Sequence, residues 1–405
     1  MSAGSAADGP RPGAYRALVL ATLAFALCFS VWGLIAPLAP QFQELYRLSS
    51  FQISVVIATP VILGSLFRIP LGLITDRFGG RVVFSGLMLV LIVPVVFIGL
   101  LGGSFGGLLF WGFFLGLAGA SFAVGVPFVN KWFPPHMQGL ALGVYGVGNI
   151  GTAIAAYTAP AIAAFYGWRL AFWVFVIPLV AMAAIFYALG RDAPSTGPRP
   201  SVTAGISLFR QEVMPWVLSL FYFLTFGGFV ALGIYLPKLL VDLFGFTQTG
   251  AGLRAAGFVV LATLSRPVGG WLADRVGGSG TLMLVFAGLP VTALILSFEP
   301  GILLFTVGAL ASAVLFGLGN GAVFKLVAEY YPGKTGAVTG VVGAAGGLGG
   351  FFPPLVLGLV RDATGAYTLG FVFLAIFAVG CLVVNAVFVR KRPSDTGAAT
   401  EGRVR

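Results

Sequence analysis

A succession of long apolar segments constrains the fold of this chain more than any other feature. A helix needs about 20 apolar residues to cross a bilayer. Apolar runs, broken by charged or by Gly- and Pro-rich turns, lie near residues 15–38, 50–74, 82–103, 107–132, 138–165, 168–189, 214–240, 249–273, 280–298, 302–330, 335–360 and 367–390. The pattern predicts an all-α membrane protein with twelve transmembrane helices. The first run is longer than a signal-peptide core, and we interpret it as the first span.

The composition excludes a soluble protein. Hydrophobic residues make up 59% of the 405 residues and charged residues only 9%, whereas soluble domains carry about 25% charged residues. The net charge of +11 would suggest nucleic-acid binding in a soluble protein. Here the basic residues collect in alternate loops and at the two ends, as cytoplasmic loops require. We therefore expect the lipid bilayer, and no nucleic acid, as the surroundings of the chain.

The distribution of basic residues predicts the orientation. One side of the predicted bundle carries Arg11, Arg16, Arg77, Arg81, Lys131, Arg191, Arg199, Arg210, Arg275, Lys334 and the run Arg390-Lys391-Arg392. The other side carries Arg47, Arg169, Lys238 and Arg361. The positive-inside rule then places both termini in the cytoplasm, with the chain in the cytoplasmic membrane.

The two halves of the sequence repeat each other. A shift of 198 residues lays Arg68 on Arg266, and a shift of 197 or 198 also aligns Asp76 with Asp274, Pro134 with Pro332, Gly139 with Gly336, Gly143 with Gly340 and Gly146 with Gly343. The predicted domains are an N-terminal six-helix half (1–190), a cytoplasmic linker (191–213), a C-terminal six-helix half (214–392) and a cytoplasmic tail (393–405). Parallel repeats of this kind place a substrate site between the halves, near the bilayer midplane.

Arg68 and Arg266 each lie in an apolar segment, eight residues before an Asp-Arg pair. With a rise of 1.5 Å per residue, this spacing puts each guanidinium about 12 Å from the membrane surface and near the bilayer middle. A guanidinium is charged at every physiological pH, and burying it in a membrane costs several kcal/mol without a polar partner. No Asp or Glu is expected at that depth, so a bound anion is the simplest counter-charge.

Two loops carry a repeated signature. Residues 72–81 read GLITDRFGGR and residues 270–278 read GWLADRVGG, which resembles the loop motif of the major facilitator superfamily. We expect Asp76, Arg77, Asp274 and Arg275 to clasp neighbouring helix ends on the cytoplasmic side and to release them when the halves rock.

Two further stretches are unusually rich in glycine, residues 143–151 and 340–353. Glycine at this density lets helix backbones approach closely. In the first stretch, Asn149 and exposed backbone amides are expected to donate hydrogen bonds to a small ligand.

The segments 121–125 (SFAVG), 132–143 (WFPPHMQGLALG), 148–151 (GNIG) and 346–351 (GGLGGF) resemble the nitrate/nitrite porter family of the major facilitator superfamily. The likeness extends over nearly the whole chain and implies the major facilitator fold, with two six-helix pseudo-repeat halves. It implies that Arg68 and Arg266 grip the anion and that Phe122, Tyr222 and Phe324 form an aromatic cage around it. It also implies alternating-access transport of nitrate, with nitrite as co-substrate, by exchange or proton symport. Planar, weakly hydrated nitrate suits the guanidinium fork better than a lysine.

Coupling to a second ion leaves several hypotheses open. Lys325 directly follows Phe324, where other members of the resembled family carry a neutral residue, and Glu329 lies one turn further on the same helix. Lys325 and Glu329 could neutralise each other, or Glu329 could meet Lys131, which the repeat places at the matching end of the fourth span. Alternatively, a buried Lys325 could carry protons.

Two other functions stay open as alternatives. The arginine pair could serve a transporter of another small anion, such as formate or oxalate, or the chain could be an anion sensor or channel that does not transport. An enzyme is not expected, because no nucleophile–base arrangement, metal cluster or phosphate loop is evident. Cys28 and Cys381 lie in apolar runs, and His136 is the only histidine, so neither a metal site nor a cofactor is predicted. We expect the chain to function as a monomer.

Overall fold

The computed structural model describes residues 9–194, 211–332 and 334–389. Over these residues the chain is helical, with no β-strand. Twelve helices are long and apolar enough to cross a membrane: α1 (Ala14–Leu45), α2 (Val55–Phe78), α3 (Gly80–Leu101), α4 (Phe105–Asn130), α5 (Pro135–Tyr166), α6 (Trp168–Leu189), α7 (Met214–Pro237), α8 (Gly250–Val276), α9 (Gly278–Ser297), α10 (Ile302–Tyr330), α11 (Thr335–Pro353) and α12 (Thr368–Val389). The predicted all-α, twelve-span architecture is confirmed.

Several helices extend beyond their apolar spans. The helix of α2 begins at Ser50, that of α8 begins at Gln248, that of α7 continues to Phe244 and that of α11 continues to Thr364. Ser49 caps the start of α2 in a capping box, in which its side chain accepts from the Gln52 backbone N–H and its own backbone N–H donates to the Gln52 side chain. Such local caps satisfy backbone donors that a helix start otherwise leaves free.

The N-terminal half is irregular at mid-membrane depth. The helix of α2 ends one segment at Leu66 and resumes at Arg68. A 3₁₀ segment, Gly116–Ser121, interrupts α4 directly before Phe122, and another, Val147–Ile150, interrupts α5 at Asn149. The corresponding helices of the C-terminal half, Gln248–Val276, Ile302–Tyr330 and Thr335–Thr364, are continuous. Mid-helix 3₁₀ segments often mark hinges, so the N-terminal half carries its bends at the level of the predicted site.

Glycines bring the two halves into backbone contact. A Cβ added to Gly143 in α5 would lie 2.6 Å from the carbonyl oxygen of Arg266 in α8. A Cβ added to Gly340 in α11 would lie 2.6 Å from the carbonyl oxygen of Arg68 in α2. No side chain fits at such distances without moving the backbone. The expected close helix packing is thus confirmed, and each glycine-rich stretch packs on the arginine-bearing helix of the opposite half.

The whole predicted tail and most of the predicted linker lie outside the described residues, which exclude 195–210 and 390–405. The domain boundaries therefore stay a prediction. The same holds for the basic residues of these segments, Arg199, Arg210 and Arg390 to Arg392.

Candidate functional site

Arg68 lies in the interior of the protein, with only 2% of its surface exposed. Its Nε donates to the carbonyl oxygen of Gly119 in α4 over 3.0 Å, and its Nη1 donates to the carbonyl oxygen of Gly343 in α11 over 2.5 Å. One acceptor belongs to each half, so this guanidinium joins the halves at mid-membrane. The two neutral carbonyls accept from only two of its N–H donors, and they leave its charge uncompensated.

Arg266 is equally buried, at 2% exposure, but fewer of its guanidinium N–H donors have hydrogen-bond partners. Its Nη2 lies 3.5 Å from the Tyr222 hydroxyl, while Nε and Nη1 have no hydrogen-bond partner among the described residues. Neither arginine forms an ion pair with a described carboxylate. Buried donors of a charged group are costly to leave free. The two side chains therefore form a cationic site whose remaining donors can take an anion.

The three predicted cage rings contact one another beside Arg266. The Phe122 and Tyr222 rings are stacked, with centroids 6.3 Å apart, and the Phe324 ring meets both edge-on at 4.8 Å. The Arg266 guanidinium carbon lies 5.6 Å from the Phe122 centroid. The helices α4, α7 and α10 supply these rings, so both halves contribute to the predicted aromatic wall.

Phe226 is a site residue that the sequence analysis missed. Its ring centroid lies 5.4 Å from the guanidinium carbon of Arg68 and 5.9 Å from that of Arg266, and its ring stacks on Tyr222 at 5.0 Å. Phe226 follows Tyr222 by four residues, which places both on one helix face. This four-residue spacing from Tyr222 is the sequence feature that could have predicted Phe226 as a site residue. One aromatic face thus serves both cations.

Tyr145 supports this wall from behind. It is fully buried, its ring stacks on Phe122 and Phe25, and its hydroxyl donates to the carbonyl oxygen of Ser121 over 3.1 Å. Ser121 ends the 3₁₀ segment of α4, where the helix leaves carbonyls without their usual partners. Tyr145 therefore fixes the backbone directly before Phe122.

Asn149 is buried, and one of its side-chain N–H donors is already used within its own helix. Its Nδ2 donates to the carbonyl oxygen of Gly146 in the same helix over 2.6 Å. An amide group carries two N–H bonds, so one remains for a ligand. The predicted ligand contact of Asn149 stays a prediction.

Asp76 and Asp274 lie at one end of the bundle, called here the clasp end, and each binds a helix start of the other half. Asp274 accepts from the backbone N–H groups of Gly139 and Leu140 at 2.9 and 2.7 Å, at the start of α5. Asp76 accepts from the backbone N–H of Ala337 at 3.0 Å, at the start of α11. A carboxylate at a helix N-terminus satisfies free donors and complements the helix dipole. The two contacts hold the clasp end closed.

The clasp role expected for Arg77 and Arg275 stays a prediction. Both are exposed, and their guanidinium carbons lie over aromatic rings of their own helices, Phe78 at 5.4 Å and Trp271 at 4.3 Å. Within the described part of the chain they form no hydrogen bond or ion pair with the other half. Long basic side chains at a helix end extend towards the membrane surface, so Asp76 and Asp274, rather than these arginines, bind the helix starts of the other half.

Lys325 and Lys131 form ion pairs with aspartates in this structure, and the hypotheses on coupling through Glu329 stay predictions. Lys325 pairs with Asp274 at 3.0 Å and also donates to the carbonyl oxygen of Pro135 in the other half. Lys131 pairs with Asp76 at 3.9 Å. Glu329 is exposed. The buried aspartates need compensation more than an exposed glutamate does, so each lysine turns to the aspartate of its own half.

Comparisons with known proteins show the family to which the chain belongs. The family model of the Major Facilitator Superfamily matches residues 20–352 and 218–404. The chain is 46% identical over 368 residues to a nitrite extrusion protein of Bacillus subtilis, covering 91% of this chain and 92% of the relative. The chain belongs to the nitrate/nitrite porter family of the major facilitator superfamily. A probable nitrate transporter, NarT, of Staphylococcus epidermidis is 42% identical over 366 residues and covers 90% of this chain and 94% of its own length.

Solved structures of the superfamily share the fold of this porter. The human organic anion transporter MFSD10 superposes with a TM-score of 0.79 at 17% identity, covering 93% of this chain and all of that one. The proton:xylose symporter XylE superposes with a TM-score of 0.79 at 15% identity, covering 93% of this chain and 96% of its own. The family match and the relatives make the chain a multi-pass membrane transport protein and not an enzyme, and the solved structures agree with its fold.

Proposed function

We propose that this porter moves nitrate and nitrite across the cytoplasmic membrane by alternating access. The observation that carries the proposal is the pair of buried guanidinium groups, neither of which is neutralised by a described carboxylate. An anion that enters between them supplies the missing charge. The names of the relatives, a nitrite extrusion protein and a probable nitrate transporter, support these two anions as the cargo.

The chemistry of the site supports a small, flat anion. Arg266 offers two nitrogens that have no partner among the described residues, and Phe122, Tyr222, Phe226 and Phe324 supply flat apolar walls. Planar oxyanions accept from a guanidinium fork in its own plane. A strongly hydrated anion would lose more solvation on entering these walls than the site restores. Nitrate and nitrite fit both requirements.

The clasps supply the gate. With both termini in the cytoplasm, the clasp end faces the cytoplasm, and the closed clasps of Asp76 and Asp274 bar the anion from that side. The anion that enters from the opposite side draws the two cations together. Opening then requires that the starts of α5 and α11 leave Asp274 and Asp76 while the halves rock about the site.

Exchange and proton symport differ in whether Lys325 takes part in transport. In exchange, the empty protein does not reorient, because repulsion between the two buried, unneutralised guanidinium groups opposes the rocking of the halves. In symport, a proton would reach the Lys325–Asp274 pair, which contacts Pro135 across the halves, and would weaken the clasp. Both routes use the same anion site.

Reconstituted protein in liposomes tests the proposal. Counterflow of labelled nitrate should require nitrate or nitrite inside, and saturate with external nitrate. A pH gradient alone should drive uptake only if the porter is a symporter. Competition by formate or oxalate as strong as that by nitrite would favour a carboxylate porter. Non-saturable flux without counterflow would indicate a channel and contradict the proposal.

Tyr145→Phe should lower nitrate affinity by about 3- to 10-fold, because one buried hydrogen bond contributes about 0.5–1.5 kcal/mol. The variant keeps the ring that stacks on Phe122 but frees the Ser121 carbonyl. The nitrate concentration that gives half-maximal counterflow measures the change in affinity. An exposed tyrosine changed in the same way, Tyr157→Phe, is the control. Unchanged affinity in Tyr145→Phe would remove its positioning role.

Gly143→Ala and Gly340→Ala should each reduce uptake by at least about tenfold. The added methyl would meet a backbone carbonyl of the opposite half at 2.6 Å, so the clasp end could not close. Alanine raises helix propensity by about 1 kcal/mol over glycine, so a loss of activity cannot reflect a weaker helix. Gly257→Ala in α8, which would meet no atom within 4 Å, is the matched control. Uptake equal to that control would contradict the packing argument.

A further inference from the structure

A small cavity lies beside Arg68 on the side away from the clasp end. Its volume is about 10 Å³, and it is lined by Trp32, Val61, Gly64, Ser65, Arg68, Phe226, Val230 and Gly347. Space of this size holds about one water-sized group. Val61, Ser65 and Val230 lie about one or two helical turns beyond Arg68 or Phe226, so the cavity continues the anion site away from the clasps.

Two neutral donors meet at this cavity. The Trp32 Nε1–H is buried without a hydrogen-bond partner among the described residues. Ser65 is only 1% exposed, and its Oγ is the atom that a Cβ on Gly347 would meet first. A buried indole N–H without an acceptor costs about 1–3 kcal/mol. Such a donor is best explained by a partner that arrives and leaves.

Glycines keep the space between these donors free. A Cβ added to Gly119 would lie 2.9 Å from Trp32 Nε1, and one added to Gly64 would lie 3.3 Å from the same atom. Gly119 also supplies the carbonyl that accepts from Arg68 Nε at 3.0 Å. The indole N–H and the Arg68 guanidinium therefore border the same glycine, close enough to serve one small ligand.

We propose that this cavity receives the third oxygen of nitrate, and that Trp32 and Ser65 set the preference for nitrate over nitrite. This inference rests on the proposed function. Nitrite has two oxygens, which the arginine pair can engage alone. Nitrate has a third oxygen in the same plane, and it needs both space and a donor on the far side of Arg68. With nitrite bound, a water molecule can fill the cavity.

Trp32→Phe and Ser65→Ala remove one donor each and test the proposal in liposomes. Half-saturation for nitrate should rise about 3- to 10-fold in each variant, whereas half-saturation for nitrite should change less than about twofold. Trp111→Phe and Ser85→Ala, which alter the same residue types outside the cavity, should leave both values unchanged. Retained nitrite transport also reports that the variants fold.

A cavity-filling variant keeps both donors and tests the space alone. Val61→Ile adds one methylene to the cavity wall. It should raise the half-saturation concentration for nitrate and leave that for nitrite unchanged. An equal loss for both anions, or no change in the nitrate-to-nitrite ratio in any of the three variants, overturns the inference while the proposed transport stands. Failure of the unaltered protein to transport either anion would overturn the proposed function instead.

Discussion

Arg68→Lys and Arg266→Lys should each abolish nitrate uptake. Arg68 donates from two nitrogens to carbonyls of both halves, and two nitrogens of Arg266 have no partner in the described part of the chain and can bind the anion. Lysine keeps the charge but presents a single ammonium and cannot reproduce either arrangement. Losing one partner of a buried charged hydrogen bond costs about 2–5 kcal/mol, which corresponds to about 30-fold to several thousand-fold in rate. Initial rates of labelled nitrate uptake measure the loss.

Arg254→Lys is the matched control for this pair. Arg254 lies on α8, as Arg266 does, but it is exposed and its guanidinium lies over the Phe246 ring at 4.1 Å. Uptake by this variant should match the unaltered protein. Normal uptake by both Arg68→Lys and Arg266→Lys would show that a fixed guanidinium fork is not required.

Asp274→Asn should open the clasp end. The change leaves the buried Lys325, at 5% side-chain exposure, without its ion-pair partner and weakens acceptance from Gly139 and Leu140. Breaking a buried pair costs about 3–5 kcal/mol, and every 1.4 kcal/mol changes a population tenfold. A cysteine at Leu140, at the start of α5, should therefore react with a hydrophilic thiol reagent at least about tenfold faster than in the unaltered background.

The equivalent change in the N-terminal half, Asp76→Asn, should have a smaller effect than Asp274→Asn. Asp76 accepts from Ala337, and its Lys131 partner lies 3.9 Å away with a 38% exposed side chain, so solvent screens this pair. Asp76→Asn should therefore accelerate thiol labelling of the cysteine at position 140 less than Asp274→Asn does. The native Cys28 and Cys381 are buried and should contribute little background. Equal labelling in Asp274→Asn and the unaltered protein would show that Asp274 does not hold the gate.

The apolar pattern was sufficient to predict the fold. Twelve runs and a repeat at a shift of 198 residues define twelve spans in two halves, because a bilayer permits only helices with internally satisfied backbones in a chain of this kind. The depth of Arg68 and Arg266 followed from their spacing to the aspartates. The breaks in α2, α4 and α5 were not predicted, because they depend on packing against neighbouring helices rather than on local propensity.

The site could be predicted only where the signal lay within one helix. Arg68, Arg266, Phe122, Tyr222 and Phe324 were identified from motif position, and the structure brings them together at one level. The partner of Lys325 was not predictable, since Asp274 lies on another helix and its depth relative to Lys325 depends on tertiary packing. Tyr145 acts through a carbonyl that the 3₁₀ segment frees, which no residue pattern indicates.

Equilibrium binding of labelled nitrate to the purified porter tests the central claim most directly, because the transported anion is proposed as the sole counter-charge of two buried cations. We predict one saturable nitrate site per chain, which nitrite displaces, which Arg254→Lys retains and which both Arg68→Lys and Arg266→Lys lose. Unchanged binding in a protein that carries both lysine substitutions would contradict the account.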